Sequence, residues 1–279
     1  MTLLIDTTSG DFDFTYLSLG AGVQSSALLV LACLDDRVPK PDAAIFADTG
    51  DEPSWVLEYV EVLTEWAESH DVPVYTVQNK RGALSYVYTE LQRRGEWFAR
   101  IPLFVRKADN TTAMSSRHCT REFKIAPIQQ KVRELLGYRP RQRAKHKVRA
   151  MMGISIDESI RMKASVQRWI TNTYPLVDLG ITRSGCYEIV DQAGLPEPRR
   201  SACVYCPYHS DEYWYWLKTE EPAEFARAVE HDRNFRDLPA MNYPQFVHRS
   251  CVPLDEVVFN TTDLDQVDMW AECEGMCGV

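Results

Sequence analysis

The sequence predicts an α/β fold, a doubly wound and mainly parallel sheet followed by a Cys-rich, mainly helical C-terminal region. Two observations carry this reading. Through the first half of the chain, short apolar runs alternate with longer amphipathic stretches, the β-α-β-α-β order that winds strands side by side. After about residue 185 the pattern breaks into turn-rich sequence dense in Cys, Pro and aromatic residues. A composition of 45% hydrophobic and 25% charged residues in 279 is that of an ordinary globular protein, long enough for one large domain or a domain with a sizeable appendage.

The elements follow in order. Residues 14–19 read as a strand and 24–34 as a helix, then 43–47 as a strand. Pro53 opens an amphipathic helix over 53–69, where its missing N–H costs nothing. A strand over 72–78, helical patterning at 82–95, a helix over 121–136 and a strand over 148–155 complete the first unit, placed at residues 1–180. The second unit, 181–279, contains one or two helices over 211–235 and a polar tail ending in CEGMCGV. Tyr213, Trp214, Tyr215 and Trp216 in those helices suit a packed aromatic core better than a surface for stacking bases.

A net charge of −9 tells against a general nucleic-acid-binding surface. One stretch departs from that balance: residues 131–149 are dense in Lys and Arg, with Glu134 the single acid. It is either a solvated helix end and loop or a patch for a polyanion, a nucleic acid or a phosphate-bearing substrate. No apolar run is long enough to span a membrane, and the acidic N-terminus lacks the features of a secretory signal, so a cytoplasmic setting is expected. There, eight cysteines point to metal, cluster or redox chemistry rather than structural disulfides.

Chemistry concentrates in a few places. YLSLGAGVQSSAL (16–28) delivers an apolar run into a small Gly- and Ser-rich turn at a helix start. Ser18, Gly20, Gly22, Gln24 and Ser25 there suit a phosphate, because glycines admit the anion and the helix N-terminus supplies N–H donors. Such a turn is also ordinary punctuation. Asp48 closes the next strand, at the carboxyl edge where ligands bind on these sheets. Arg117, Arg121 and Lys124 surround Cys119, and cationic neighbours favour its thiolate. Cys203-x-x-Cys206 with Pro207 has metal-ligand spacing, and Cys119 and Cys186 would complete four thiolates for an iron–sulfur cluster or a structural zinc. Cys33 and Cys251 read as structural, and His118 as a surface histidine.

The ordered set of the 20–25 turn, FADTGDEP (46–53), RHCTREFKIAP (117–127), GISIDESIRM (153–162), YPLVDLGITRSGC (174–186) and SACVYCPY (201–208) resembles the phosphoadenosine phosphosulfate reductases and related adenine-nucleotide alpha-hydrolases. Gly20 to Ser25 stand in the six places of that family's pyrophosphatase loop S-G-G-x-D-S, with Gln24 where the loop has a carboxylate. The resemblance implies ATP or a sulfated adenine nucleotide at the turn, and Mg²⁺ held by Asp48, Asp51 or Glu52 in place of the missing carboxylate. Gly153, Ser159 and Arg161 carry the likeness of the later segment, with Ser155 in the place of its first arginine, which leaves Arg161 as the anion clamp. It also implies a [4Fe–4S] cluster on Cys119, Cys186, Cys203 and Cys206. Cys273 and Cys277 resemble the C-terminal Glu-Cys-Gly segment whose thiol attacks sulfate sulfur in the reductases.

Three functions follow as expectations. The first is an ATP-dependent sulfurtransferase that adenylates its substrate, with a nucleic acid as the acceptor, as in DNA phosphorothioation. It would draw on a sulfur donor such as a cysteine desulfurase or a thioredoxin-like reductant. The second is a reductase releasing sulfite from a phosphosulfate. The third is a nucleotide- or cluster-binding module without catalysis.

Overall fold

The computed structural model describes residues 11–96, 101–239 and 241–260. Its centre is a five-stranded parallel sheet. In chain order, β1 (Phe14–Leu19) leads to α1 (Val23–Leu34), β2 (Ala43–Asp48), α2 (Ser54–Glu68), β3 (Val74–Gln78) and α3 (Leu84–Arg93). A three-residue β4 (Phe104–Arg106) and β5 (Thr112–Met114) follow, then a π-helical turn (Thr120–Ile125) continuing into α4 (Ala126–Leu135). The chain returns through β6 (Val148–Met152), a 3₁₀ turn (Ile156–Arg161), β7 (Ile170–Thr173), α5 (Pro175–Asp178) and α6 (Arg183–Gln192). It then runs through α7 (Asp211–Glu220), α8 (Pro222–Arg236) and the two-residue β8 (Gln245–Phe246).

The strand order is β3-β2-β1-β6-β7, with every neighbour parallel. The winding direction reverses between β1 and β6, and a crevice opens at the carboxyl edge of such a switch point. Burial explains why these strands are nearly all apolar. Leu17, Leu19, Ala44, Phe46 and Met151 face one core, covered by α1, α2, α3 and α6. Tyr16, Ala43, Ile45, Ala47, Val148, Ala150 and Met152 face the other, under Ile128 and Val132 of α4. A sheet buried on both sides has no polar face to alternate.

The first core continues without a break through Cys186, Tyr205, Tyr213, Trp214 and Phe235. The 211–235 region is two helices, because Pro222 cannot extend α7 and instead starts α8. Tyr213 and Trp214 are fully buried, as a packed aromatic core requires, while Trp216 meets Trp55 edge-on at 5.7 Å. A second sheet, β5-β4-β8, is antiparallel. Nothing in the sequence announces it, since strands of two or three residues are too short to show alternation. Among the described residues, no helix is long and apolar enough to cross a membrane.

Candidate functional site

The turn after β1 is shaped by its main chain. Ala21 adopts φ +56°, the left-handed region, in the place where the resembling loop carries glycine. The Ser25 hydroxyl spans the turn, accepting from the Gly20 N–H at 3.1 Å and donating to the Gly22 carbonyl at 3.0 Å. Gly22 is the N-cap and offers no side chain, so the first N–H groups of α1 have no internal acceptor. Ser18 stands two residues earlier on β1, half-buried and paired with Ile45 and Met152.

Gly153 sits against this turn from the end of β6. A Cβ there would lie 2.7 Å from the Ser25 N and Cα atoms, so glycine is required for the strand end to approach the helix. Two residues on, Ser155 accepts a 2.6 Å hydrogen bond from the Gln24 side-chain amide, and both residues are wholly buried. The two departures from the family pattern are thus partners. A neutral amide–hydroxyl pair stands where that pattern has a carboxylate and an arginine.

The loop after β2 supplies the next wall. The Asp48 carboxylate accepts from the Gly50 N–H at 2.7 Å and from Gln78 Nε2 of β3 at 2.5 Å. Gly50 has φ +79°, and a Cβ on it would meet the Ala83 Cβ at 2.6 Å. Asp51 is buried and accepts from the Ser85 N–H at 2.7 Å, the Ser85 hydroxyl at 2.6 Å and the Tyr205 hydroxyl at 2.6 Å. Sequence reasoning assigned it no structural part, yet it ties α3 and the Cys-x-x-Cys loop to the end of β2. Glu52, also buried, accepts from Thr49 Oγ1 at 3.3 Å and pairs with Lys124 Nζ at 3.3 Å.

The segment Ser201–Tyr208 lies across both loops. The Ser201 hydroxyl donates to the Gly20 carbonyl, and the Val204 N–H donates to the Asp51 carbonyl at 2.9 Å. Cys203 Sγ is 3.1 Å from Thr49 Oγ1. His209 holds the loop from behind: its Nε2 is 3.1 Å from the Cys203 carbonyl, which can only accept, so Nε2 carries the proton. The ring is stacked on Tyr213 at 4.2 Å, and burial pushes its pKa well below the usual histidine value. No motif pointed to His209; its only signal was its place three residues after Cys206.

Cys119, Cys203 and Cys206 line one cleft together with Thr49, Lys124 and Arg117, a space of about 440 Å³ including its opening to solvent. Cys119 caps the π-helical turn, Phe123 anchors that turn in the core, and Lys124 therefore points at Glu52 and the thiols. Single π turns recur at functional sites, and nothing in the sequence distinguishes this one from the α-helix it precedes. Burial, with Glu52 nearby, raises the Cys203 pKa well above its ordinary value.

The site residues expected from the sequence do not all line this cleft. Cys119, Cys203 and Cys206 do, whereas Cys186 is fully buried on α6, in the layer that packs on α1. Among the described residues no three Cys, His, Asp or Glu side chains converge as ligands of one metal ion. A tetrahedral zinc draws its thiolates to within about 4 Å of one another, whereas a cluster spaces them more widely. Three thiols in one cleft suit a thiolate-held group by donor chemistry, and that chemistry serves an iron–sulfur cluster as well as zinc. The turn itself offers Mg²⁺ no carboxylate, since Gln24 is neutral and bonded to Ser155; of the acids beside it, Asp48 and Asp51 accept two and three protein donors and Glu52 pairs with Lys124.

Arg161 is buried and ion-paired with Glu158, which Arg183 also approaches at 3.7 Å, so its guanidinium is already engaged with a carboxylate. The basic stretch does not border the cleft. Arg139, Arg141, Arg143, Lys145 and Lys147 are exposed in the loop entering β6 at its amino end. Lys147 pairs there with Asp13, just before β1. The loop is built around the Tyr138 hydroxyl, which accepts from the Lys145 and His146 N–H groups at 2.7 and 3.0 Å. A five-residue strand separates it from the site, about 17 Å. His118 is exposed, Cys251 is buried, and burial pushes the Cys33 thiol up to about 11. Cys273 and Cys277 lie outside the described residues.

Comparison with family models and with curated proteins finds no match. Among solved structures, the chain is similar to the U34-tRNA thiolase NcsA from Methanococcus maripaludis with its [4Fe-4S] cluster. The identity is 12% over 96% of this chain and 82% of that one, with a TM-score of 0.43. So distant a likeness transfers no residue role to this chain.

Proposed function

We propose that this chain is a sulfur-transfer enzyme that takes an adenine nucleotide on the Gly20–Ser25 turn and handles sulfur at the cleft of Cys119, Cys203 and Cys206. One observation carries the reading. The Ser201–Tyr208 loop is bonded to both Gly20 and Asp51, so the thiols and the turn share one edge of the sheet at its switch point. The α1 N-terminus suits a phosphate by its N–H groups and dipole. Lys124 and Arg117 bring positive charge to the thiol cleft, where it can neutralise a departing phosphate. An iron–sulfur cluster would be held by Cys119, Cys203 and Cys206, and would supply iron on which sulfide can be bound and given up. A cysteine desulfurase or a thioredoxin-like reductant fits as the sulfur or electron source. A nucleic acid fits as acceptor if it reaches from the basic loop to the cleft, about 17 Å away.

The neutral Gln24–Ser155 pair favours a second reading, reduction of a sulfated nucleotide, because that substrate arrives already activated and needs no metal-assisted adenylation. Both are tested by one experiment. Anaerobic protein carrying radiolabelled sulfur is offered ATP with bulk RNA or DNA, and unlabelled protein is offered adenosine phosphosulfate with dithiol. Label passing to nucleic acid supports transfer. Sulfite without an acceptor supports reduction instead. Nucleotide bound with neither product would contradict both and leave a binding module.

A further inference from the structure

We infer that the turn binds its adenine nucleotide without a divalent metal, and that the neutral Gln24–Ser155 pair sets this property. The inference rests on the nucleotide reading above, and it concerns the charge around the phosphates. Mg²⁺ keeps most of its water and is held by one or two carboxylates together with phosphate oxygens. On the loops that follow β1, β2 and β6, every carboxylate oxygen but one of Glu52 meets a donor or a cation of the protein. The turn after β1 carries none, because position 24 is an amide whose nitrogen is bonded to Ser155 at 2.6 Å. Asp48 is closed by Gly50 and Gln78, and Asp51 by Ser85 and Tyr205. Asp157 accepts the Arg183 N–H on both oxygens at 3.2 and 3.1 Å, and Glu158 pairs with Arg161 and Arg183.

Glu52 is the exception, with one buried oxygen that meets no donor. Its other oxygen is on Lys124 at 3.3 Å, so a divalent ion there would stand beside an ammonium. The buried Gln24 Oε1 is also without a donor. The substitution Gln24→Glu would put a carboxylate in the same space; Ser155, which faces Asp157 as well as position 24, has one hydroxyl hydrogen to give, so at least one oxygen of the new carboxylate is left to offer a cation. The amide at this position thus withholds a metal ligand while keeping the shape of the turn. The phosphates would be met by main-chain N–H groups alone, which suits a nucleotide with one phosphate, or one phosphoanhydride, next to the sugar.

The test is equilibrium binding of ATP and of AMP to the full chain, each in magnesium and in EDTA, for the wild type and for Gln24→Glu. The wild type should bind each nucleotide with less than about threefold difference between the two conditions. Gln24→Glu should bind ATP at least tenfold more tightly in magnesium than in EDTA. A tenfold or larger magnesium preference in the wild type would overturn the inference while leaving the nucleotide reading intact. A folded Gln24→Glu protein indifferent to magnesium would overturn the assignment to position 24. No binding of either nucleotide in either condition would instead sink the nucleotide reading itself. The wild-type arm stands alone should the variant not fold.

Discussion

The Gly20–Ser25 turn and the Ser201–Tyr208 loop meet at one edge of the sheet, yet they are held in opposite ways. The turn is fixed by main chain and by small residues. Gly153 admits the approach of β6, Ala21 takes the left-handed step, and the Ser25 hydroxyl closes the ring. The loop is fixed by buried polar side chains: the Asp51 carboxylate on Tyr205, and the His209 imidazole on the Cys203 carbonyl. A surface built from main chain tolerates changes of charge and pH but not of volume. One built from buried acids and imidazoles does the reverse. The phosphate side of the site should answer to methyl groups, and the thiol side to protons.

The largest expected effect is on the loop. Asp51→Ala removes three hydrogen bonds and leaves the Ser85 N–H and the Tyr205 hydroxyl buried without their acceptor, which should cost about 3–5 kcal/mol in denaturant unfolding. A cost under about 1 kcal/mol would break the contrast, since the loop would then be held by something else. Gly153→Ala comes next and tests the turn. Its Cβ collides with Ser25 main chain, so adenine-nucleotide affinity should fall at least tenfold. Unchanged affinity would show that the turn is not the binding surface.

The third test is pH. His209, His231 and His248 all have pKa values lowered by burial, so the unfolded chain binds more protons than the folded one as pH falls below about 6.5. Stability supported by their neutral forms is complete above that pH. It is lost on acidification toward the folded pKa values, at up to about 1.4 kcal/mol per pH unit for each histidine. Thermal melts from pH 7.5 to 5.5 should show a falling midpoint, with a shallower slope in His209→Gln. An equal slope would remove His209 from the account. The smallest effect belongs to Ala21→Gly, which relieves a left-handed alanine and should raise stability by about 0.5–1 kcal/mol with nucleotide affinity unchanged.

What the sequence revealed follows the same division. The parallel sheet was legible because two-sided burial makes strands such as AAIFAD uniformly apolar and Gly and Pro punctuate them. The place of the turn, between a strand and a helix, was legible because glycine and serine punctuate the chain there. The grouping of Cys119 with Cys203 and Cys206 was also legible, from cationic neighbours and spacing. Cys186 lies buried on α6, and on sequence alone a core thiol cannot be told from a ligand. The structural parts of Asp51 and His209 could not be read, because they exist only once β2, α3 and the loop are brought together. The basic stretch could be seen as a patch, but its position at the far end of β6 depends on strand direction.

The measurement that tests the central claim most directly is the iron and acid-labile sulfide content of anaerobically purified protein, compared across Cys119→Ser, Cys203→Ser, Cys206→Ser and Cys186→Ser. A single three-thiol centre predicts iron and sulfide in the wild type, retained in Cys186→Ser and lost or sharply reduced in each of the other three. Iron and sulfide lost with Cys186→Ser, or absent from the wild type, would contradict a cluster held by the cleft of Cys119, Cys203 and Cys206.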